Sequence, residues 1–454
     1  MKKIIYALHE AMQRLLKNEF YQNILSLFSG MLMARIFPAV FALAIVRIYS
    51  PEDFGIFVLY LTIASVLSIV STGKFENAII LAESEEERRN VFWMAQKINT
   101  LVNLLAAVIL VSYILLIDDF EKATVILLML IPVYSFSFAS VHLLRNVYIS
   151  NKRFKRLSVL EVSRAVITGV LQCSFFLFPE TGLFLGATFS QVVIYFWFSR
   201  GVHEVRKTRS IWFNAAEMQV FKRYINFPKF SVASEVFNFI SSQLPVFIMK
   251  PFFGATMLGL YSFPHRYIST PVQLLSSSIS QVYIWEARLL KNNQPDLGNL
   301  TLSLFKKQFL VGIIPFTILG LWGKPLFGFV FGAEWEYSGF LAQLIAPWLF
   351  AVMLISPLSS VLVVMEKQRI SMWYNILLLL ARFSSLLFGG FILNDIAWTI
   401  GMYSATGFLF FVILGIYSFQ LSGVNLLSVA RFVIKVIIIT LVPLILLKLC
   451  LRFL

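Results

Sequence analysis

The chain has 454 residues, 59% hydrophobic and 13% charged, with a mean hydropathy of +0.80 and a net charge of +15. Soluble domains carry about 25% charged and about 45–50% apolar residues, so this chain lacks the polar surface to cover a water-soluble fold and takes lipid as its main solvent. The basic excess reports membrane topology rather than nucleic-acid binding. Two cysteines and four histidines, scattered without ligand spacing, exclude a disulfide framework and a metal site; no cofactor is expected.

Residues 1–21 place Ile4, Ile5, Leu8, Met12, Leu15, Leu16 and Phe20 at helical spacing, with Lys2, Lys3, Arg14 and Lys17 between them. The segment reads as an amphipathic helix on the cytoplasmic face, or as an extension of the first span. A span needs about 20 apolar residues. Such runs fall near 24–47, 54–72, 92–116, 123–143, 158–178 and 183–199, then 230–249, 257–284, 307–323, 340–364, 371–393 and 396–418. A thirteenth run, 432–450, follows a polar break at Gln420 to Asn425. The basic segment 200–229 divides the first twelve spans into an N-terminal lobe, 22–199, and a C-terminal lobe, 230–419.

Alternating the sides from an inside N-terminus puts nearly all Lys and Arg on one side. The outer loops between spans hold only Arg47, Lys122, Lys250 and Lys324. That asymmetry places the N-terminus in the cytoplasm. The outer loops are short and acidic, too small for an extracytoplasmic catalytic domain. Trp93, Trp197, Trp285, Trp322, Trp335, Trp373 and Trp398 fall near span ends, as an interfacial belt requires; Trp348 does not.

The two halves share a signature. Tyr49-Ser50-Pro51-Glu52-Asp53-Phe54-Gly55-Ile56-Phe57 follows the first span, and Phe253-Gly254-Ala255-Thr256-Met257-Leu258-Gly259-Leu260-Tyr261 follows the seventh. Either short turns converge on glycine and aromatics, or the chain is an internal duplication. Two six-span halves that both begin inside would be parallel repeats, with a substrate site between them near the bilayer midplane.

The run 49–81, with its Gly-basic-aromatic-Glu-x-Ala-Ile element at Gly73 to Ile79, resembles the first hairpin of the Wzx-type polysaccharide (O-antigen) flippases of the MOP superfamily. Residues 244–283 resemble that family's second-lobe hairpin, and Phe331 to Trp335 its outer loop. The resemblance implies an all-α polytopic membrane protein of the bacterial inner membrane, with two six-helix lobes around a central cavity and about 12–13 transmembrane helices. It also implies alternating access and an undecaprenyl-pyrophosphate-linked oligosaccharide as substrate, with other polysaccharide-assembly proteins as candidate partners. The apparent thirteenth run departs from the twelve or fourteen spans common in that family.

Charge depth bears on the substrate independently. Arg35, Arg266 and Arg382 fall near the middle of spans 1, 8 and 11, where an arginine costs about 2.5 kcal/mol or more in lipid. Each either bonds carbonyls or neighbours such as Ser29, Gln273 and Ser384, or lines a cationic cavity that receives a phosphate-bearing or acidic head group. Glu161 and Arg164 are spaced to pair on one helix. Lys97, Glu235 and Glu76 sit shallowly as coupling or ion-pair candidates, Glu235 as a partner for Lys97 or Arg164, and Lys74 with Glu76 reads as interfacial. A MATE-like cation or drug exporter should instead bury carboxylates at the midplane. A polytopic polysaccharide-assembly enzyme should show an acid/base or nucleophile cluster. Neither pattern is present, and the chain reads as a transporter, not an enzyme.

Overall fold

Capping chemistry sets where the helices begin. The Asp53 carboxylate accepts the Ser50 N–H at 3.0 Å and the Ser50 hydroxyl accepts the Asp53 N–H at 3.2 Å, a reciprocal box ahead of Pro51, whose missing N–H suits a first helical position. Ser84 accepts the Glu87 N–H at 3.1 Å, and Glu85, Glu86 and Glu87 occupy the first turn of the next long helix, at the positive end of its dipole. Asp395 accepts the Trp398 N–H at 2.9 Å.

The structure is a computed structural model that describes residues 19–117, 121–202, 213–365 and 367–453, all helix, turn or loop with no strand among them. By internal contacts the chain divides into two units, Tyr49 and all before it with Ile56–Gln243, and Ser50–Gly55 with Leu244–Leu454. The first runs through α1 (Glu19–Ile48), α2 (Pro51–Ser71), α3 (Phe75–Leu81), α4 (Glu85–Leu116), α5 (Lys122–Ser150), α6 (Phe154–Ser174), α7 (Pro179–Ser199), α8 (Ala215–Arg223) and α9 (Val232–Ser242). The second holds α10 (Leu244–Leu289), α11 (Gln294–Phe331), α12 (Glu336–Leu358), α13 (Val361–Val364), α14 (Gln368–Phe388), α15 (Ile396–Leu421) and α16 (Leu426–Phe453).

Ten helices among the described residues are long and apolar enough to cross a membrane, fewer than the 12–13 expected. The first and thirteenth expected runs fall in α1 and α16, and the seventh, expected at 230–249, is not one rod. It begins as a π-turn at Phe227–Ser231, continues as α9, and breaks at Gln243 (φ −101°, ψ 10°) before α10 starts. Pro245 explains the break: it has no N–H for the Ser241 carbonyl, and its ring crowds the preceding turn. Helix α10 itself turns at Gly254 (φ 80°), where the loop between spans 7 and 8 was expected. The amphipathic segment expected at 1–21 lies almost wholly outside the described residues. Of the expected 200–229 linker, 203–212 lie outside them too, while α8 packs on α4.

The first unit is built on two helix pairings and a polar ladder. Helix α1 lies along α6, Gly169 leaving room for the Phe41 ring, and the Tyr49 hydroxyl donates to the Gln172 carbonyl at 2.7 Å. Phe75, Phe92, Leu144, Ile194 and Val220 form a core shared by α3, α4, α5, α7 and α8. Between α4 and α5, Gln96 and Asn99 donate to Ser140 at 2.9 and 3.1 Å, and within α4 Asn103 donates to Asn99 at 2.8 Å. Interhelical hydrogen bonds in lipid are worth about 0.6–2 kcal/mol each.

In the second unit Phe305, Phe309, Met353, Leu358 and Phe419 gather α11, α12 and α15. The two signature glycines also meet there. A Cβ on Gly55 would strike the Ala255 carbonyl, and one on Gly259 would strike the Pro51 carbonyl. The offset that separates Pro51 from Ala255 also separates Gly55 from Gly259. Only glycine lets the two backbones approach this closely.

Candidate functional site

Several charges of the first unit are paired. The chain turns between α2 and α3 through two left-handed residues, Gly73 (φ 56°) and Lys74 (φ 59°), and Lys74 Nζ lies 3.4 Å from Glu76 and 3.7 Å from Glu235. Lys97 of α4 donates to both carboxylate oxygens of Glu217, at 2.8 and 2.7 Å. Glu217 is fully buried, and it also closes the cap of α8: Asn214 accepts its N–H at 2.7 Å while it accepts the Asn214 N–H at 3.1 Å. Arg145 Nε donates to Glu161 at 2.9 Å, and Arg223 reaches Glu83 at 2.9 Å and Glu87 at 2.7 Å.

These pairs correct the expected ones. Glu161 pairs with Arg145 on the neighbouring helix rather than with Arg164 on its own. Arg164 instead lies over the Phe138 ring, 4.8 Å from its centroid. Glu235 pairs with Lys74, not with Lys97 or Arg164. Lys97 belongs to Glu217, which sequence reasoning missed. The missed signal was Asn214-x-x-Glu217, a capping box inside a stretch read as linker.

The second unit holds a different arrangement. Arg382, fourteen residues along α14 and thus about 20 Å from its start, brings its guanidinium carbon 4.3 Å from the Trp348 ring centroid and 5.0 Å from that of Tyr403. Trp348 and Tyr403 stand edge to face at 5.4 Å. His265 lies parallel to Trp348 at 5.8 Å and to Tyr261 at 5.5 Å, so α10, α12, α14 and α15 all contribute. Gly407 makes the box possible: a Cβ there would sit 2.5 Å from Arg382 Nη2 and 2.9 Å from Trp348 Nε1. Both donors therefore press against the Gly407 backbone, with no room between them for even a methyl.

Those donors lack acceptors. Arg382 Nε and Nη2, Trp348 Nε1 and the Tyr261 hydroxyl are buried with no hydrogen-bond partner, and Arg382 forms no ion pair among the described residues. A cation–π contact with a desolvated cation is worth about 2 kcal/mol, so two rings offset part of the cost of the charge. Each unmatched buried N–H costs about 1–3 kcal/mol, more on a charged group. The rings satisfy the face of the guanidinium and leave its edge open, and an edge with two parallel donors suits a carboxylate or phosphate.

Of the other expected cations, Arg266 follows His265 on α10 and is exposed. Arg35 lies within α1, its side chain outside the described residues. Trp348, the tryptophan that fell away from the span ends, turns out to be the ring beneath Arg382. Among the described residues no group of three or more His, Cys, Asp and Glu gathers as a metal site would require.

A family model described as polysaccharide biosynthesis protein matches residues 44–339. The chain is 24% identical over 305 residues to the succinoglycan biosynthesis transport protein ExoT of Rhizobium meliloti (strain 1021), an alignment that takes in 64% of this chain but only 58% of that protein. Among solved structures it resembles the lipid II flippase MurJ in an inward closed conformation, with a TM-score of 0.68 at 14% identity over 93% of this chain and 92% of that one. It also resembles an inward-facing multidrug-resistance MATE transporter of the MOP superfamily, with a TM-score of 0.60 at 12% identity over 86% and 95% of the two chains. The fold is that of the MOP-superfamily transporters.

Proposed function

The chain belongs to the polysaccharide biosynthesis protein family, and from that premise we propose that it is a flippase. It carries an undecaprenyl-pyrophosphate-linked oligosaccharide, an O-antigen or other surface-polysaccharide unit, from the cytoplasmic to the periplasmic leaflet of the bacterial inner membrane. The N-terminus is cytoplasmic, transport proceeds by alternating access, and other polysaccharide-assembly proteins supply and receive the substrate. The observation that carries this reading is Arg382, a mid-span guanidinium with two open N–H groups and no carboxylate beside it. A substrate with a pyrophosphate head supplies the missing acceptors, and Arg266, exposed on α10, is a further cation for it.

The MATE-like fold also admits a cation exporter as a second reading, which would need an uncommitted buried carboxylate. Of the buried acids, Glu217 is held through both oxygens by Lys97, while Glu76 has Lys74 3.4 Å from one oxygen and no partner on the other; it is the lone guanidinium of Arg382 that favours the anionic substrate. The experiment is to remove the protein and follow the glycan. Lipid-linked glycan should still be made but stay inaccessible to membrane-impermeant reagents from the periplasmic side. Failure of glycan assembly itself would point to an enzyme, and normal export with altered resistance to organic cations would point to the exporter.

A further inference from the structure

A second site lies in the first unit, at the end of the helix bundle where α5 finishes, α6 begins and α7 finishes. Tyr148, Lys155, Arg156, Val159, Trp197, Phe198 and Gly201 enclose an open cleft of about 300 Å³. Its walls are apolar. Tyr148 donates to the Phe198 carbonyl at 3.1 Å, and Arg156 donates to the Gly201 carbonyl at 3.1 Å, which holds its guanidinium at the rim. Trp197 and Val159 are each 54% exposed, far more than rings and branched chains that pack inside a bundle.

The rim is basic and unneutralised. Lys152 and Arg153 precede Lys155 and Arg156 in the chain, Arg200 directly precedes the cleft residue Gly201, and among the described residues none of the five forms an ion pair. In the same unit Lys97, Arg145 and Arg223 do have carboxylate partners. An apolar slot beside a tryptophan, at the ends of membrane-spanning helices and below a row of cations, matches one chemistry from end to end. The slot takes an acyl chain, the indole sits at the level of the head groups, and the cations take a phosphodiester.

We propose that this cleft binds an anionic glycerophospholipid of the surrounding bilayer, its acyl chain lying against Val159, Trp197 and Phe198 and its phosphate held by Lys155 and Arg156. The site is separate from Arg382 and independent of what the protein transports. The lipid acts as a fixed counter-ion for the row of cations at that end of the unit.

The test uses the full chain in nanodiscs of phosphatidylcholine containing a minor fraction of phosphatidylglycerol with brominated acyl chains, which quench tryptophan on contact. The Trp197 signal is the difference between the parent and Trp197→Phe proteins. Brominated phosphatidylglycerol should quench it, and the same fraction of brominated phosphatidylcholine should quench it far less. Each charge lost should weaken the preference about fivefold, so Lys155→Gln with Arg156→Gln should abolish most of it. Lys122→Gln, at the opposite end of α5, should leave it unchanged. Val159→Trp, which fills the slot and keeps the charges, should also lower quenching. Equal quenching by both lipids would overturn the proposal, as would equal losses in Lys122→Gln and the double variant, the sign of diffuse surface attraction. Displacement by excess inorganic phosphate would also overturn it, since a site for the head group alone needs no acyl slot.

Discussion

The two units handle buried cations in opposite ways. In the first, Lys97 is enclosed by Glu217, Arg145 by Glu161, and Lys74 by Glu76 and Glu235. In the second, Arg382 has aromatic rings on its faces and nothing on its edge. The likeness beneath the contrast is instructive. Helix α6, the fifth span of its half, carries Arg164 over Phe138 of the fourth; α14, fifth in the other half, carries Arg382 over Trp348 of the fourth. Glu161, one turn before Arg164, is taken by Arg145, and α14 carries no acid at all. An arginine on a ring is thus shared by both units, and what sets Arg382 apart is that its Nε and Nη2 are buried with no hydrogen-bond partner. Paired charges fix helices to one another; an unpaired one is open to a ligand.

The comparison is most exposed at Glu217. Glu217→Gln leaves Lys97 charged and uncompensated, a cost of about 3–5 kcal/mol. Thermal unfolding of the solubilised protein should therefore drop sharply, and membrane abundance with it. Replacing both partners with methionine should recover most of the loss, because two apolar groups strand no charge. If the single variant is as stable as the parent, the first unit does not depend on charge balance.

Gly407→Ala tests the second unit. The new methyl would displace Arg382 from Trp348, an overpacking cost of about 1–3 kcal/mol. Export should fall by more than the loss of abundance explains, while the first unit's ion pairs are untouched. Unchanged export would show that the guanidinium need not sit on its rings. The smallest effect is expected at Glu235, half-exposed and 3.7 Å from Lys74. Exposed pairs contribute about 0–1 kcal/mol, so Glu235→Gln should be close to silent in stability and export. A large loss there would revive Glu235 as a coupling carboxylate.

The difference between what was and was not legible in the sequence follows physical lines. Span positions were readable because lipid leaves a chain few options: each backbone polar group must be satisfied within a helix, so apolar runs mark helices. Gly55, Gly254 and Gly259 stood out as a repeated pattern, but the left-handed turn at Gly73 and the Gly55–Gly259 approach could not be read from it. Side-chain partners were not legible. Glu161 and Arg164 have the right spacing, but spacing on one helix cannot reveal that Arg145 arrives from the next. Glu217 was hidden because a short amphipathic helix among charged residues looks like a linker. Proline gave the other miss: Pro245 divides a run whose hydropathy is continuous. Trp348 and Arg382 were each noticed as out of place, one as a tryptophan far from an interface and the other as a mid-span charge. That they explain each other required the fold.

The central claim is that the edge of Arg382 is held open for an anion. The measurement that tests it most directly compares Arg382→Gln and Arg382→Lys for membrane abundance and glycan export in the same cells. Glutamine should leave abundance near normal and cut export at least about tenfold, since a hydrogen bond to a charged group is worth about 1.5–3 kcal/mol. Lysine keeps a point charge without the planar fork and should retain an intermediate level. If abundance falls in step with export for both variants, Arg382 is a packing element of the second unit, and the contrast between the units carries no function.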